Sequence, residues 1–360
     1  MPHVLRRVRF AAATVLLGLL LLTAWSVTRS DALGEAEGAY ARARDPKGLA
    51  LALELALAHL DRQPWSRQAT LIAARCLSRL DYLDEADRYY GDLGGLGLSD
   101  KHLRAYAILR ANRREEAVDA YRAILRSHPE DVEAARILGG IYYSRKQYDE
   151  ALEAADRLIS NPRGKILGHQ LAATVYHDDN LPGQAVDQFE HALELDPDLE
   201  SIPPDARTVF WLSFTSDLLQ IGRADDARRH LTRLIAQRPE EPWMHAELGR
   251  AASQLGDFDQ AEREWTRVAE QRPEAAEPWY ELARVALART PPDPAKAAEF
   301  LERADSLVPS DYRVLYLLRN AYLRLGRKAD AEALNGRIEL ARPKAKPAPG
   351  GMGPRSSGQP

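Results

Sequence analysis

The chain has 360 residues, 45% of them hydrophobic and 28% charged, and a formal charge of -4. That balance is ordinary for a folded protein, excludes a low-complexity chain, and offers no cationic excess of the kind that nucleic acid selects. Cys76 is the single cysteine, which excludes an intrachain disulfide.

The first predicted element is apolar. Arg6, Arg7 and Arg9 precede "FAAATVLLGLLLLTAWSVT", uncharged from Phe10 to Thr28. Nineteen helical residues span about 28 Å, close to the hydrocarbon thickness of a bilayer. The basic flank keeps the N-terminus cytoplasmic and carries everything after Arg29 across. A cleaved secretory signal is the alternative, with Ala24-Trp25-Ser26 as its small-x-small site. The uncharged stretch is longer than a usual signal core, and Trp25 stands at its far edge like an interfacial anchor. Residues 1–29 are therefore expected to form a signal-anchor, and either reading exports residues 30–342.

Beyond this segment one pattern recurs. "GDFDQA", ending at Ala261, reappears as "LDYLDEA" at Ala86, "RREEA" at Ala117 and "KQYDEA" at Ala151. "NLPGQA" at Ala185 and "GRADDA" at Ala227 continue it, and weaker copies end at Ala52, Ala297 and Ala331. Successive spacings are 34, 31, 34, 34, 42, 34, 36 and 34 residues. Leu138-Gly139, Leu248-Gly249 and Leu282-Ala283 supply a large-small pair to a first helix, with Trp211, Trp243 and Trp279 near its start. Gly222, Gly256 and Gly326 fall in the turn between helices. Pro129, Pro197, Pro239, Pro273 and Pro309 follow the second helix, which they cannot continue.

A period of about 34 residues with these marks resembles the tetratricopeptide repeat (TPR), a helix–turn–helix unit. The resemblance covers about residues 33 to 343 in nine copies. It implies an all-α fold, a right-handed superhelical solenoid in which each repeat buries its face on its neighbours. Apolar residues at helical spacing, such as Leu248, Ala252 and Leu255, mark the buried stripe. Gly249 and Ala261 let paired helices approach, while Trp265, Phe189 and Tyr121 fill the space between hairpins.

Departures from the period mark irregular joints. "GDLGGLGLSD" shortens the link between the second and third repeats by three residues, and "TPPDP" at 290–294 lengthens the eighth turn by two. "DLESIPPDAR" adds eight residues before the sixth first helix, so an irregular joint and a bend are expected at 199–207. Residues 343–360, rich in Pro, Gly and Ser and poor in bulky apolar residues, are expected to be a disordered tail.

Candidate chemistry is sparse. "YHDD" (Tyr176 to Asp179) sets a His beside two carboxylates, but it closes a first helix, and adjacent helical positions point apart. "GDLGGLG" (Gly91 to Gly97) lacks both the preceding strand and the following Lys-Ser/Thr of a phosphate loop. Cys76 lies in an apolar helix with no His nearby in sequence, the setting of a small core residue. No HExxH, GxSxG or paired-Cys spacing occurs, so neither an enzyme nor a metal or other cofactor is expected.

In the TPR family ligands usually lie along the concave surface of the first helices. Carried over by position, that surface comprises Arg75 and Arg79; His102, Tyr106 and Arg110; Arg136 and Tyr143; and Gln170 and His177. Arg250, Tyr280, Arg284, Arg313, Tyr316, Asn320 and Arg324 complete it toward the C-terminus. Acidic residues at equivalent places are fewer, chiefly Asp45, Glu133, Asp178 and Glu277. Arg offers a fork of donors to carboxylates and Tyr adds rigid contact area, which points to acidic or extended peptides. The competing reading has these arginines solvated or paired within their own helices. Some family members hold a terminal carboxylate with a Lys/Asn set across three repeats, of which Asn320 and Arg324 are only a fragment.

The expected function is a membrane-tethered scaffold on the periplasmic side, binding partner proteins in an Arg/Tyr-rich groove and supporting an envelope complex. No role with nucleic acid is expected. Two alternatives stay open: a secreted, chaperone-like client binder, and a non-catalytic subunit of a polysaccharide synthesis or export enzyme.

Overall fold

The computed structural model describes residues 32–342, and every regular element among them is helical. The apolar segment 10–28 and the tail 343–360 lie outside the described residues. Residues 32–42 form α1, which pairs with α2 (Pro46–Arg62). The hairpins α3 (Arg67–Arg79) with α4 (Leu83–Gly91), α5 (Leu98–Arg110) with α6 (Arg114–Ser127), and α7 (Val132–Ser144) with α8 (Tyr148–Ile159) follow. Then come α9 (Lys165–Asp178) with α10 (Pro182–Leu195), α11 (Pro204–Gln220) with α12 (Ala224–Gln237), and α13 (Pro242–Gln254) with α14 (Phe258–Gln271). The last pairs are α15 (Ala276–Ala288) with α16 (Pro294–Leu307) and α17 (Tyr312–Arg324) with α18 (Lys328–Ala333), closed by α19 (Asn335–Ala341). Contacts divide the chain into two compact units that meet in sequence at Ala172 and Ala173, within α9.

The recurring alanine explains the pairing. Ala52, Ala86, Ala117, Ala151, Ala185, Ala227, Ala261, Ala297 and Ala331 all sit early in a second helix, and each is at most 2% exposed. One turn further on, Tyr90, Tyr121, Phe189, Leu231, Trp265 and Leu301 are buried as the large residues of the core. In the first helices the small partner leaves room for a neighbour. A Cβ on Gly249 would stand 2.7 Å from Nε1 of Trp265, on its own hairpin's second helix. A Cβ on Gly139 would collide instead with the tip of Leu171, in the next hairpin.

The turns share one geometry. Five residues before the buried alanine the chain turns through the left-handed region, at Asp81, Asn112, Lys146, Asn180, Gly222, Gly256 and Gly326. This ends the first helix within three residues, and glycine or Asn takes it at least cost. At the far end of six second helices (α2, α6, α10, α12, α14 and α16) the residue before proline is extended, as at His128 (φ -140°, ψ 79°) and Arg272 (φ -134°, ψ 63°), which stops the helix there. Asp131 caps the first helix α7, and Asp45, Asp257 and Asp293 cap the second helices α2, α14 and α16, each accepting from a backbone N–H group.

Three irregular segments differ from this plan. Residues 92–97 link α4 to α5, with Gly95 left-handed. Residues 289–293 join α15 to α16, two more than the three residues (255–257) between α13 and α14, as the sequence spacing implied. The insertion before α11 is folded rather than loose. Leu199 and Ile202 are buried, and the Asp196 carboxylate accepts from Glu200 N, Ser201 N and Ser201 Oγ. One expectation needs correction. Trp211 is not near the start of its helix, because α11 begins at Pro204 and runs to 17 residues; the indole packs within α11 on Phe210 and Phe214 and against His230 of α12.

Candidate functional site

Consecutive first helices are laced together by polar pairs on one face. In the N-terminal unit, the Arg75 guanidinium donates to both oxygens of buried Asp100, at 2.7 and 2.8 Å. That carboxylate holds Arg75 protonated more firmly than usual. Arg75 and Arg79 both lie over the Tyr40 ring, 6.0 and 5.8 Å from its centroid. His102 Nε2 meets the Asp131 carboxylate at 2.9 Å, and Arg110 pairs with Asp81 at 2.7 Å. Arg136 grips Glu133 with two hydrogen bonds, which pull the Glu133 carboxyl below its usual range. Tyr106 projects, about half exposed, while Tyr143 and Gln170 are each engaged with neighbouring groups.

In the C-terminal unit, His177 Nδ1 lies 2.8 Å from Oδ1 of Asp217, whose burial pushes its pKa up despite the imidazole. Arg250 reaches two carboxylates, Glu247 on its own helix and Glu277 on α15, and lies over the Trp265 ring. Glu247 is buried, and loss of water raises its pKa despite Arg250. Farther along, Tyr280 is flanked by two guanidiniums, Arg284 at 6.0 Å and Arg313 at 5.4 Å. Arg284 is also bonded to Glu281, and Arg313 to Asp311, the N-cap of α17. Tyr316, 44% exposed, stacks on Tyr312 with ring planes 24° apart and lies under Arg319.

Six of the eight arginines singled out from sequence (Arg75, Arg110, Arg136, Arg250, Arg284 and Arg313) are thus ion-paired. Arg79 and Arg324 make no ion pair among the described residues. The paired state, not a bare cationic groove, describes this face. Asp45 is corrected too: it caps α2 in the turn and is not on a first helix. The acidic partners Asp81, Asp100, Asp131, Asp217, Glu247, Glu281 and Asp311 were not singled out. Glu247 with Arg250 and Glu281 with Arg284 follow the legible i,i+3 spacing, but Arg75 and Asp100 are 25 residues apart, a distance that only the folded hairpins bridge.

The features set aside in the sequence now have places. "YHDD" ends α9, with His177 engaged by Asp217, and no group of three or more His, Cys, Asp or Glu among the described residues is placed to hold a metal ion. The "GDLGGLG" segment follows a helix, and the carbonyls of Gly94 and Gly95 accept from Arg67. Cys76 is buried, which pushes its thiol up to about 11 and away from nucleophilic use.

The fold defines a helical-repeat protein built of paired helices. Two tetratricopeptide-repeat family models match, one over residues 102–165 and 246–312 and the other over 293–348. The chain is a tetratricopeptide-repeat protein, and its repeats are those of a protein–protein interaction scaffold. Among solved structures it is similar to YrrB, described as a TPR protein with an unusual peptide-binding site, at 19% identity and a TM-score of 0.47 over 55% of this chain and 97% of that one. It is similar to MamA at 17% identity and a TM-score of 0.41, over 49% of this chain and 91% of that one. The C-terminal part of a TPR repeat-containing protein from Cytophaga hutchinsonii gives 16% identity and a TM-score of 0.49, over 66% and 91% of the two chains. No curated protein matches the chain.

Proposed function

We propose that this chain is a membrane-tethered scaffold that takes extended, acidic peptide segments on the first helices of its C-terminal unit, on the periplasmic side of a cytoplasmic membrane. The observation that carries the peptide site is the Arg–Tyr layer of α15 and α17: Arg284, Tyr280 and Arg313 in sequence of contact, then Tyr316 under Arg319. Each guanidinium is held in place by a ring or a single carboxylate, so little side-chain entropy is lost when a ligand carboxylate joins it. Exposed Tyr316 adds a rigid contact surface of the kind found at binding hot spots. Tethering rests on residues 10–28, whose length and basic flank suit a span.

Arg250 is better suited to structure than to ligand. Reversing its charge would set two carboxylates against buried Glu247 and damage the fold along with any site. The apt test is Arg284→Glu combined with Tyr316→Ala, in the full chain in its membranes. A photocrosslinker at Tyr316 should capture a segment that one at Tyr82 does not, and the double change in a chain labelled at Tyr312 should abolish capture while helical circular dichroism is kept. Alkaline-washed membranes should retain the protein. Equal capture at Tyr316 and Tyr82 would count against the site, and release by alkali would count against the tether.

A further inference from the structure

We infer that the edge of the first two hairpins carrying Trp65 rests on the bilayer, with the Trp65 indole in the headgroup region. This rests on the tether reading and adds an orientation to it. Three residues, 29–31, separate the apolar segment from residue 32, so the start of α1 stays within about 14 Å of a membrane spanned by residues 10–28. A three-residue turn, 43–45, reverses the chain into α2. With 17 residues against the 11 of α1, α2 runs back about 25 Å against about 16 Å, so its C-terminal end emerges on the side where α1 begins.

Trp65 sits there, three residues beyond the end of α2, and is 79% exposed, while Trp211 and Trp265 are buried. Leu98, opening α5 on the same edge, is 37% exposed. Trp65, Leu57, Leu60 and Tyr89 line a cleft of about 560 Å³ whose polar side is formed by Asp61, Asp92 and Arg67, and Arg62 beside it is exposed. A largely exposed, amphipathic indole beside a guanidinium able to reach phosphate is a composition that settles at a membrane–water boundary. The α3 helix carries the chain about 20 Å away to Tyr82, 56% exposed on the opposite edge, which provides an internal control.

The test uses the full chain in vesicles of phosphatidylcholine and phosphatidylglycerol, with a polarity-sensitive fluorophore on Trp65→Cys, on Leu98→Cys or on Tyr82→Cys. Buried Cys76 stays unlabelled. Lipid spin-labelled near the headgroup should quench the labels at positions 65 and 98 at least twofold more than the label at 82. Equal quenching at all three, or none at 65 and 98 in a chain that withstands alkaline washing, overturns the orientation and leaves the tether standing. Self-quenching at 65 that grows with protein density, without lipid quenching, assigns the edge to a second copy and also overturns it. Release of the whole chain by alkali removes the tether and the orientation together.

Discussion

The fourth and seventh hairpins, α7–α8 and α13–α14, carry the same Leu-Gly pair and the same buried alanine, yet the space around the glycine is filled differently. Over Gly139 comes the flexible tip of Leu171, with Ala155 one turn beyond the repeat alanine; over Gly249 comes the rigid indole of Trp265 at that same position. The turn is taken by Lys146 in one and Gly256 in the other. Both hairpins hold a Glu–Arg i,i+3 pair, but the Glu133 side chain is 54% exposed and the Glu247 side chain 6%. One repeat motif therefore fixes backbone pairing while leaving core filling and charge burial free to differ.

The largest effect should come from closing the space that both hairpins need. Ala261→Glu buries an unpaired charge in a filled core and should cost about 3–5 kcal/mol, read by denaturant unfolding. An unchanged transition would contradict the close approach of α13 and α14. Next, Gly249→Ala should destabilise by about 1–3 kcal/mol because the indole cannot yield. Gly139→Ala should be nearly neutral, since Leu171 can rotate and alanine favours the helix by about 1 kcal/mol. Similar costs for the two would erase the distinction drawn here.

Charge burial gives a smaller, pH-dependent contrast. The raised folded pKa of Glu247 means that its ionisation weakens the fold. The loss is absent below the unfolded carboxyl value and complete once the pH has risen through the folded one. Glu247→Gln should accordingly raise the melting temperature by about 2 °C at pH 7 and lose that gain below about pH 4. The lowered pKa of Glu133 has the opposite sign: its contribution is present above the unfolded value and lost as pH falls through the folded one. Because that pair is exposed, Glu133→Gln should lower the melting temperature by about 1 °C or less at pH 7. Last, Lys146→Gly should stabilise by about 0.5–1 kcal/mol by relieving a left-handed lysine, measured against Gly256→Ala, which should do the reverse.

The repeat was legible because each of its marks has a local physical cause. Alanine against a partner helix, proline after a helix end and glycine in a left-handed turn all act within a few residues. Four of the seven left-handed hairpin turns were passed over because Asp81, Asn112, Lys146 and Asn180 are not glycine. Trp211 was misplaced because the insertion before it lengthens α11 from the front. The first-helix residues were found by register, but their pairing was not. Arg75 with Asp100, and Arg250 with Glu277, join helices that single-sequence spacing does not relate. Those pairs turn an apparent surplus of arginine into a mostly neutralised face.

Titration of a fluorescent Glu-rich peptide into the full chain and its Arg284→Glu/Tyr316→Ala variant tests the proposed peptide recognition most directly. The account predicts saturable binding that weakens with salt and falls at least tenfold in the variant, with helix content preserved. Equal binding by both proteins would contradict the placement of the peptide site on α15 and α17.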